Sequence, residues 1–221
     1  MIINIGIAKR TVSEELLHEG IPVLKYDISR PEPRSRAHGI TRVNAFYMEL
    51  FSNYLKRCRG ELCDSAVRDA KDAIANGFPV REYEAIMSYT VTANENCVLS
   101  LFTDTYEYAG GAHGSTVRAA QSWFFPGGRR ISLCNLFPTN THYRAALLAR
   151  INAIIAKNPE WYFEDYKKLT AEFFNPASFY IMPTGFGIFY QQYDIAPYAT
   201  GIPVFEFNYD AVGATPPRCV R

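Results

Sequence analysis

The residues best able to do chemistry converge on one stretch, Tyr106-Glu107-Tyr108-Ala109-Gly110-Gly111-Ala112-His113-Gly114-Ser115-Thr116. His113 is its one side chain that titrates near neutral pH, so it could serve as general base, general acid or metal ligand. Gly110, Gly111 and Gly114 surround it, and glycine is the residue of left-handed backbone and close chain approach. Catalysis by His113 would need a carboxylate to orient it, and Asp104, Glu107 and Asp194 are the candidates. Gly110-Gly111-Ala112-His113-Gly114 superficially resembles an esterase oxyanion loop. The G-x-S-x-G nucleophile that such a loop serves is absent, as are H-E-x-x-H, the P-loop and G-x-G-x-x-G. His18, His38 and His142 lie in unrelated segments with no metal-ligand spacing. The sequence therefore offers no metal and no cofactor. A lone histidine in a glycine turn more often holds a backbone carbonyl than it catalyses.

Composition narrows the class further. The chain has 221 residues, 48% hydrophobic and 14% aromatic, which is enough to bury a substantial core. Lys+Arg 23 against Asp+Glu 22 leaves a formal charge of +1, with nothing to attract nucleic acid or an anionic membrane. No run approaches the roughly 18 apolar residues of a membrane helix. The first twenty residues place their charges after a short apolar start, the reverse of a signal peptide, so the chain reads as cytoplasmic or already trimmed of its export signal. Cys58, Cys63, Cys97, Cys134 and Cys219 make an odd count, and free thiols are the expectation. Cys58 and Cys63 could pair only if the helix between them breaks.

The elements that must position the glycine stretch are legible from periodicity. Residues 1–20 read as an N-terminal extension, and Ile21 to Ile28 as a first strand. Val43, Phe46, Tyr47, Leu50, Phe51, Tyr54 and Leu55 form one apolar stripe at helical spacing, with basic residues at its end and Gly60 as its stop. Leu62 to Asn76 predicts a second, more polar helix. Tyr83–Ala93, Cys97–Tyr108, Ser115–Phe125 and Arg130–Leu133 read as strands joined by short turns, and hence as an antiparallel meander. A third helix runs from Thr141 to Lys157, expected on the same face as the first. Phe179–Met182 and Phe186–Tyr190 form a hairpin, and Val204–Phe207 a closing strand. The fold class is α+β: an antiparallel meander with helices packed on one face. Residues 21–210 form a single domain, with sub-regions at about 21–95 and 96–210, and a frayed tail follows over 211–221.

A second unusual stretch, Tyr193-Asp194-Ile195-Ala196-Pro197-Tyr198-Ala199-Thr200-Gly201, is also rich in tyrosine, alanine and glycine. Such composition allows close backbone approach with aromatic plates between. The two stretches are expected to meet, with His113 bonding the second near Asp194. Were His113 buried there, His113→Ala would cost on the order of 1–3 kcal/mol.

Both stretches resemble motifs of a known family. Tyr108 to Gly114 is similar to the Y-T-G-G-A-H-G signature of the RsiV/PdaC-type extracytoplasmic domain, catalogued as a domain of unknown function. Asn96 to Leu101 resembles its N-x-(I/V)-L-S strand, Ile131 to Phe137 its L-x-D-L-F segment, and Tyr193 to Gly201 its Y-x-I-A-P-Y-A-x-G loop. Ala109 stands where threonine is usual and Asn135 where aspartate is usual. The resemblance covers roughly Pro22 to Phe207 and implies an α+β domain of the cell envelope. RsiV-type members bind lysozyme, and in PdaC-type deacetylases the domain is a non-catalytic companion. This chain carries no anti-sigma segment and no deacetylase domain, so neither of those activities transfers. The resemblance implies a binding or sensing module for a protein such as lysozyme or for peptidoglycan glycan. Its candidate contacts are His113, Gly110, Gly111, Tyr106, Tyr108, Tyr193, Asp194 and Tyr198. The alternative is a small hydrolase using His113 with a nearby carboxylate.

Overall fold

A computed structural model describes residues 5–125 and 127–219. A six-stranded sheet runs in the order β1 (Gly6–His18), β2 (Ile21–Arg34), β3 (Tyr83–Glu95), β4 (Val98–Tyr108), β5 (Ser115–Phe124) and β6 (Arg129–Arg130). The α+β class and the antiparallel β3–β6 meander agree with the sequence pattern. The β2–β3 pair is parallel, because a crossover of two helices, α1 (Ile40–Arg57) and α2 (Cys63–Ala75), separates those strands.

The N-terminal segment is a strand rather than an extension. β1 pairs with β2 along its whole length through a two-residue turn, Glu19-Gly20, with φ of 51° and 85° at its centre. The strand escaped the sequence reading because it is an edge strand dressed with charge. Cross-strand polar pairs hold it: the Arg10 guanidinium donates to Glu32 at 2.6 and 3.1 Å, and Ser13 Oγ donates to Asp27 at 2.7 Å.

Gly60 does not stop the first helix. Cys58–Leu62 is a single π-turn that joins α1 to α2 without a break. The buried positions explain it: Tyr54, Cys58, Leu62, Ala66 and Ala70 recur every fourth residue, wider than the 3.6 of an α-helix. One inserted residue returns the stripe to the sheet. With the helix unbroken, Cys58 and Cys63 stay free.

The sheet is covered on both faces. Leu99 and Leu101 pack with Val43 and Tyr47 of α1 and with Trp123. Their neighbour Val98 points the other way, into a cluster with Leu147, Ile151 and Ile155 of α3 (Tyr143–Ile155). Helix three thus lies on the opposite side from helix one. The reason is a second, three-stranded sheet, β7 (Phe179–Met182), β8 (Gly185–Phe189) and β9 (Val204–Asn208), whose Phe179, Ile181, Phe186, Ile188, Phe205 and Phe207 share that cluster with α3. A buried serine pair stitches the sheets together: Ser100 Oγ lies 2.9 Å from Ser122 Oγ and accepts from the Ile181 amide at 2.8 Å. A sub-region boundary near residue 95 would cut the continuous β3–β4 hairpin.

As far as Cys219, the last residue described, the C-terminal segment is not frayed, and two of the cysteines are not free. Cys97 and Cys219 form a disulfide spanning 122 residues, with Cα atoms 5.4 Å apart. Cys97 sits at the β3–β4 turn with φ of 66°. The Thr215 amide donates to the Leu136 carbonyl at 2.7 Å, and Ala214 joins the core.

Candidate functional site

The corner between β4 and β5 is braced from the helix side. Arg57 of α1 grips Glu107 with two bonds of 2.9 Å, which hold that carboxyl below the usual range against the effect of its partial burial. The Tyr54 hydroxyl reaches the Tyr106 carbonyl at 3.5 Å. Gly110 has φ of +78° over the Tyr83 ring, and its carbonyl accepts from Arg81 at 2.7 Å. Burial first, and then its bond to Asp69, push the Tyr83 hydroxyl up to about 12. Gly114 lies flat on the Tyr106 ring, where a Cβ would overlap ring atoms.

The two motif loops meet. His113 is exposed, yet its ring is fixed from three directions. Nδ1 donates to the Gly114 carbonyl at 3.1 Å, which leaves Nε2 to accept from the Tyr193 hydroxyl at 3.3 Å. Its face stacks on Tyr198, with centroids 3.8 Å apart and planes 18° from parallel. Tyr193 lies 6.0 Å from Tyr198 and is 51% exposed. The three rings form a continuous aromatic surface.

Residues that sequence reasoning passed over hold the loops in place. β6 covers only the end of β5, so the amides of Thr116 and Arg118 face an open edge. Gln191 closes it as a substitute strand: its Oε1 accepts from the Arg118 amide at 2.9 Å, and its Nε2 donates to the Arg118 carbonyl at 2.7 Å. Gln192 Oε1 accepts from the Thr116 amide at 2.6 Å. The signal in the sequence was two adjacent long amides directly before Tyr193, at the mouth of the second motif. Asp194 turns inward and accepts from the Gln191 amide at 2.7 Å; burial raises its carboxyl, and that bond opposes the rise. Ile195 and Ala196 anchor the loop in the core.

Of the sequence-predicted residues, the structure brings His113, Tyr193 and Tyr198 into one cluster. Gly110 and Gly111 shape its corner, and Tyr106 supports Gly114 from below. Tyr108 stays within β4 opposite Glu84, outside the stack. His113 bonds the second loop beside Asp194, through Tyr193; the Asp194 carboxylate itself faces its own loop. The hydrolase alternative loses its carboxylates one by one: Asp104 is held by Arg118 at 2.7 Å, Glu107 by Arg57, and Asp194 by its own loop. Among the described residues no group of three or more His, Cys, Asp or Glu is placed to hold a metal. Removing the exposed His113 ring takes away one part-buried bond to the Gly114 carbonyl and one exposed bond to the Tyr193 hydroxyl. His113→Ala is therefore expected to cost less than about 1 kcal/mol, below the cost of a buried site. Thermal melts check this, and a loss of several kcal/mol would contradict the exposed placement.

Two family models match the chain, one in each half. Residues 20–116 match the family model of deacetylase PdaC, and residues 135–210 match that of a protein family of unknown function, DUF3298. His113 thus comes from the first matched segment, and Tyr193 and Tyr198 from the second. No curated protein matches the chain. A crystal structure of a DUF3298 family member from Bacteroides fragilis shares the fold, with a TM-score of 0.65 at 18% identity over 96% of this chain and 94% of that one. A DUF3298 family protein from Pseudomonas aeruginosa does so with a TM-score of 0.60 at 14% identity, over 96% and 95%. Asn135, the departure from the family's aspartate, does what an aspartate would do there: its Oδ1 accepts from the Ser132 amide at 2.8 Å and closes the turn before α3. Matched in both halves by the two family models and in its fold by solved DUF3298 structures, the chain belongs to the PdaC/RsiV-type domain family.

Proposed function

We propose that this chain is a non-catalytic binding domain of the cell envelope, and that the His113–Tyr193–Tyr198 surface is its contact face. The ligand is cell-wall glycan or a protein such as lysozyme that acts on it. The observation that carries the reading is the exposed, pre-stacked aromatic cluster. Aromatic rings held on rigid loops supply contact area with little ordering left to do on binding. A cluster serving only to pack the two loops would be expected to be buried, whereas Tyr193 and His113 face solvent.

The Cys97–Cys219 disulfide supports an extracytoplasmic site of action, because such bonds persist in oxidising compartments. No helix among the described residues is long and apolar enough to cross a membrane.

Two supports test the proposal: insoluble peptidoglycan in a co-sedimentation assay, and immobilised lysozyme on a column. Retention on either, with competition by the soluble form of the same ligand, is the expected result. Passage through both at physiological salt would overturn the reading.

A further inference from the structure

A groove of about 560 Å³ opens beside the second motif loop, lined among others by Glu160, Trp161, Tyr162, Pro197, Thr200 and Val204. It uses the residues flanking Tyr198, and none of the His113–Tyr193–Tyr198 cluster. Trp161 is 63% exposed, a large apolar surface to leave in water. Its backbone is nevertheless fixed. The Thr200 hydroxyl donates to the Trp161 carbonyl at 2.8 Å, and the Phe163 amide donates to the Ile195 carbonyl at 3.1 Å. The next ring, Tyr162, lies along Phe205 of β9 with centroids 6.3 Å apart and planes at 28°. The indole is thus carried by a rigid wall and faces solvent rather than the core.

We propose that this groove is a second site, for an uncharged glycan, with Trp161 as the stacking platform. A pyranose ring has C–H groups on its flat faces and hydroxyls around its rim. The first need an aromatic plate, and the second need acceptors and donors at the edge. Trp161 supplies the plate. The Glu160 carboxylate and the Tyr162 hydroxyl supply the edge, and Pro197 and Val204 give apolar contact to an acetamido methyl group. Charge narrows the ligand further. Glu160 is the one formally charged residue of the lining, so an anionic ligand meets repulsion while sugar hydroxyls can donate to it. A peptide adding to the neighbouring edge of β9 fits less well. Pro203, just before that strand, has no amide to donate, and Glu206 places charge on its exposed part.

The chain has two tryptophans, so emission reports on the groove directly. Trp123 is 3% exposed, donates to the Tyr47 hydroxyl at 2.8 Å, and serves as a constant background. Titration with N-acetylchitotetraose is expected to change the emission saturably and to shield Trp161 from acrylamide. By calorimetry, Trp161→Ala should weaken binding about tenfold or more, and Trp161→Phe should restore part of the loss. Melting temperatures of both variants should match the wild type, since the side chain is exposed. The emission change reads the groove alone, because the His113–Tyr193–Tyr198 face carries no tryptophan, which separates the groove from the contact face proposed above. No saturable signal from the wild type, or full affinity in Trp161→Ala, would overturn the proposal. So would shielding of Trp161 by lysozyme but not by the sugar, because the groove would then be a protein contact.

Discussion

Reduction of the Cys97–Cys219 disulfide, or Cys219→Ser, is expected to lower stability by about 2–5 kcal/mol. For a chain of this size that is a fall in melting temperature of roughly 5–15 °C. The bond closes 122 residues of chain, so its loss releases a large unfolded ensemble. It also frees the segment that lays Thr215 against Leu136 and Ala214 into the core. Melts of the oxidised wild type, the reduced wild type and Cys219→Ser check this. The last two should coincide, and reductant should not move Cys219→Ser further. Identical melts for all three would remove the bond from the account of both stability and compartment.

Gln191→Ala is expected to cost about 1–3 kcal/mol and to loosen the aromatic cluster as well. Its amide satisfies both the amide and the carbonyl of Arg118, two half-buried groups on the open edge of β5. Alanine leaves both without a protein partner and untethers the loop that carries Tyr193 and Tyr198. Gln191→Glu keeps the acceptor but turns the donor into a second acceptor facing the Arg118 carbonyl, so it should restore only part of the loss. Hydrogen exchange reads the effect locally. The amides of Thr116 and Arg118 should exchange faster in Gln191→Ala while those of β3 and the first part of β4 stay protected. Uniformly accelerated exchange, or none at all, would mean that the edge is held by something else.

The parts of the fold that were legible in the sequence are those written in periodicity. The stripe from Val43 to Leu55 is one buried helix face, and the short turns between Tyr83 and Arg130 allow only antiparallel neighbours. The glycine corner and the tyrosine-rich loop stood out by composition, and they do meet. Other features were not local. β1 carries charge where alternation would reveal a strand, and its strand character comes from the partners on β2. The parallel β2–β3 pairing depends on where the helical crossover lands, and strand β3 reads the same in either direction. The side of the sheet that α3 takes depends on a second sheet built from residues 179–208. Cys97 and Cys219 are too far apart for spacing to pair them. His113 was expected to bond the second loop near Asp194, and it meets the hydroxyl of the adjacent Tyr193, while the Asp194 carboxylate accepts from its own loop amide at 2.7 Å. Gln191 and Gln192 stand out only as two adjacent amides before Tyr193; their role follows from the geometry of an open strand edge elsewhere in the chain.

The central claim is that the exposed aromatic cluster is the contact face of a binding domain. Calorimetric titration of the wild type and of Tyr198→Ala, against lysozyme and against soluble peptidoglycan fragments, tests it most directly. The wild type is expected to bind at least one of them. Tyr198→Ala is expected to weaken that binding by about 2 kcal/mol, or about thirtyfold, with its melting temperature held within a few degrees of the wild type. Equal affinity in the two proteins for a ligand that the wild type binds would contradict the claim.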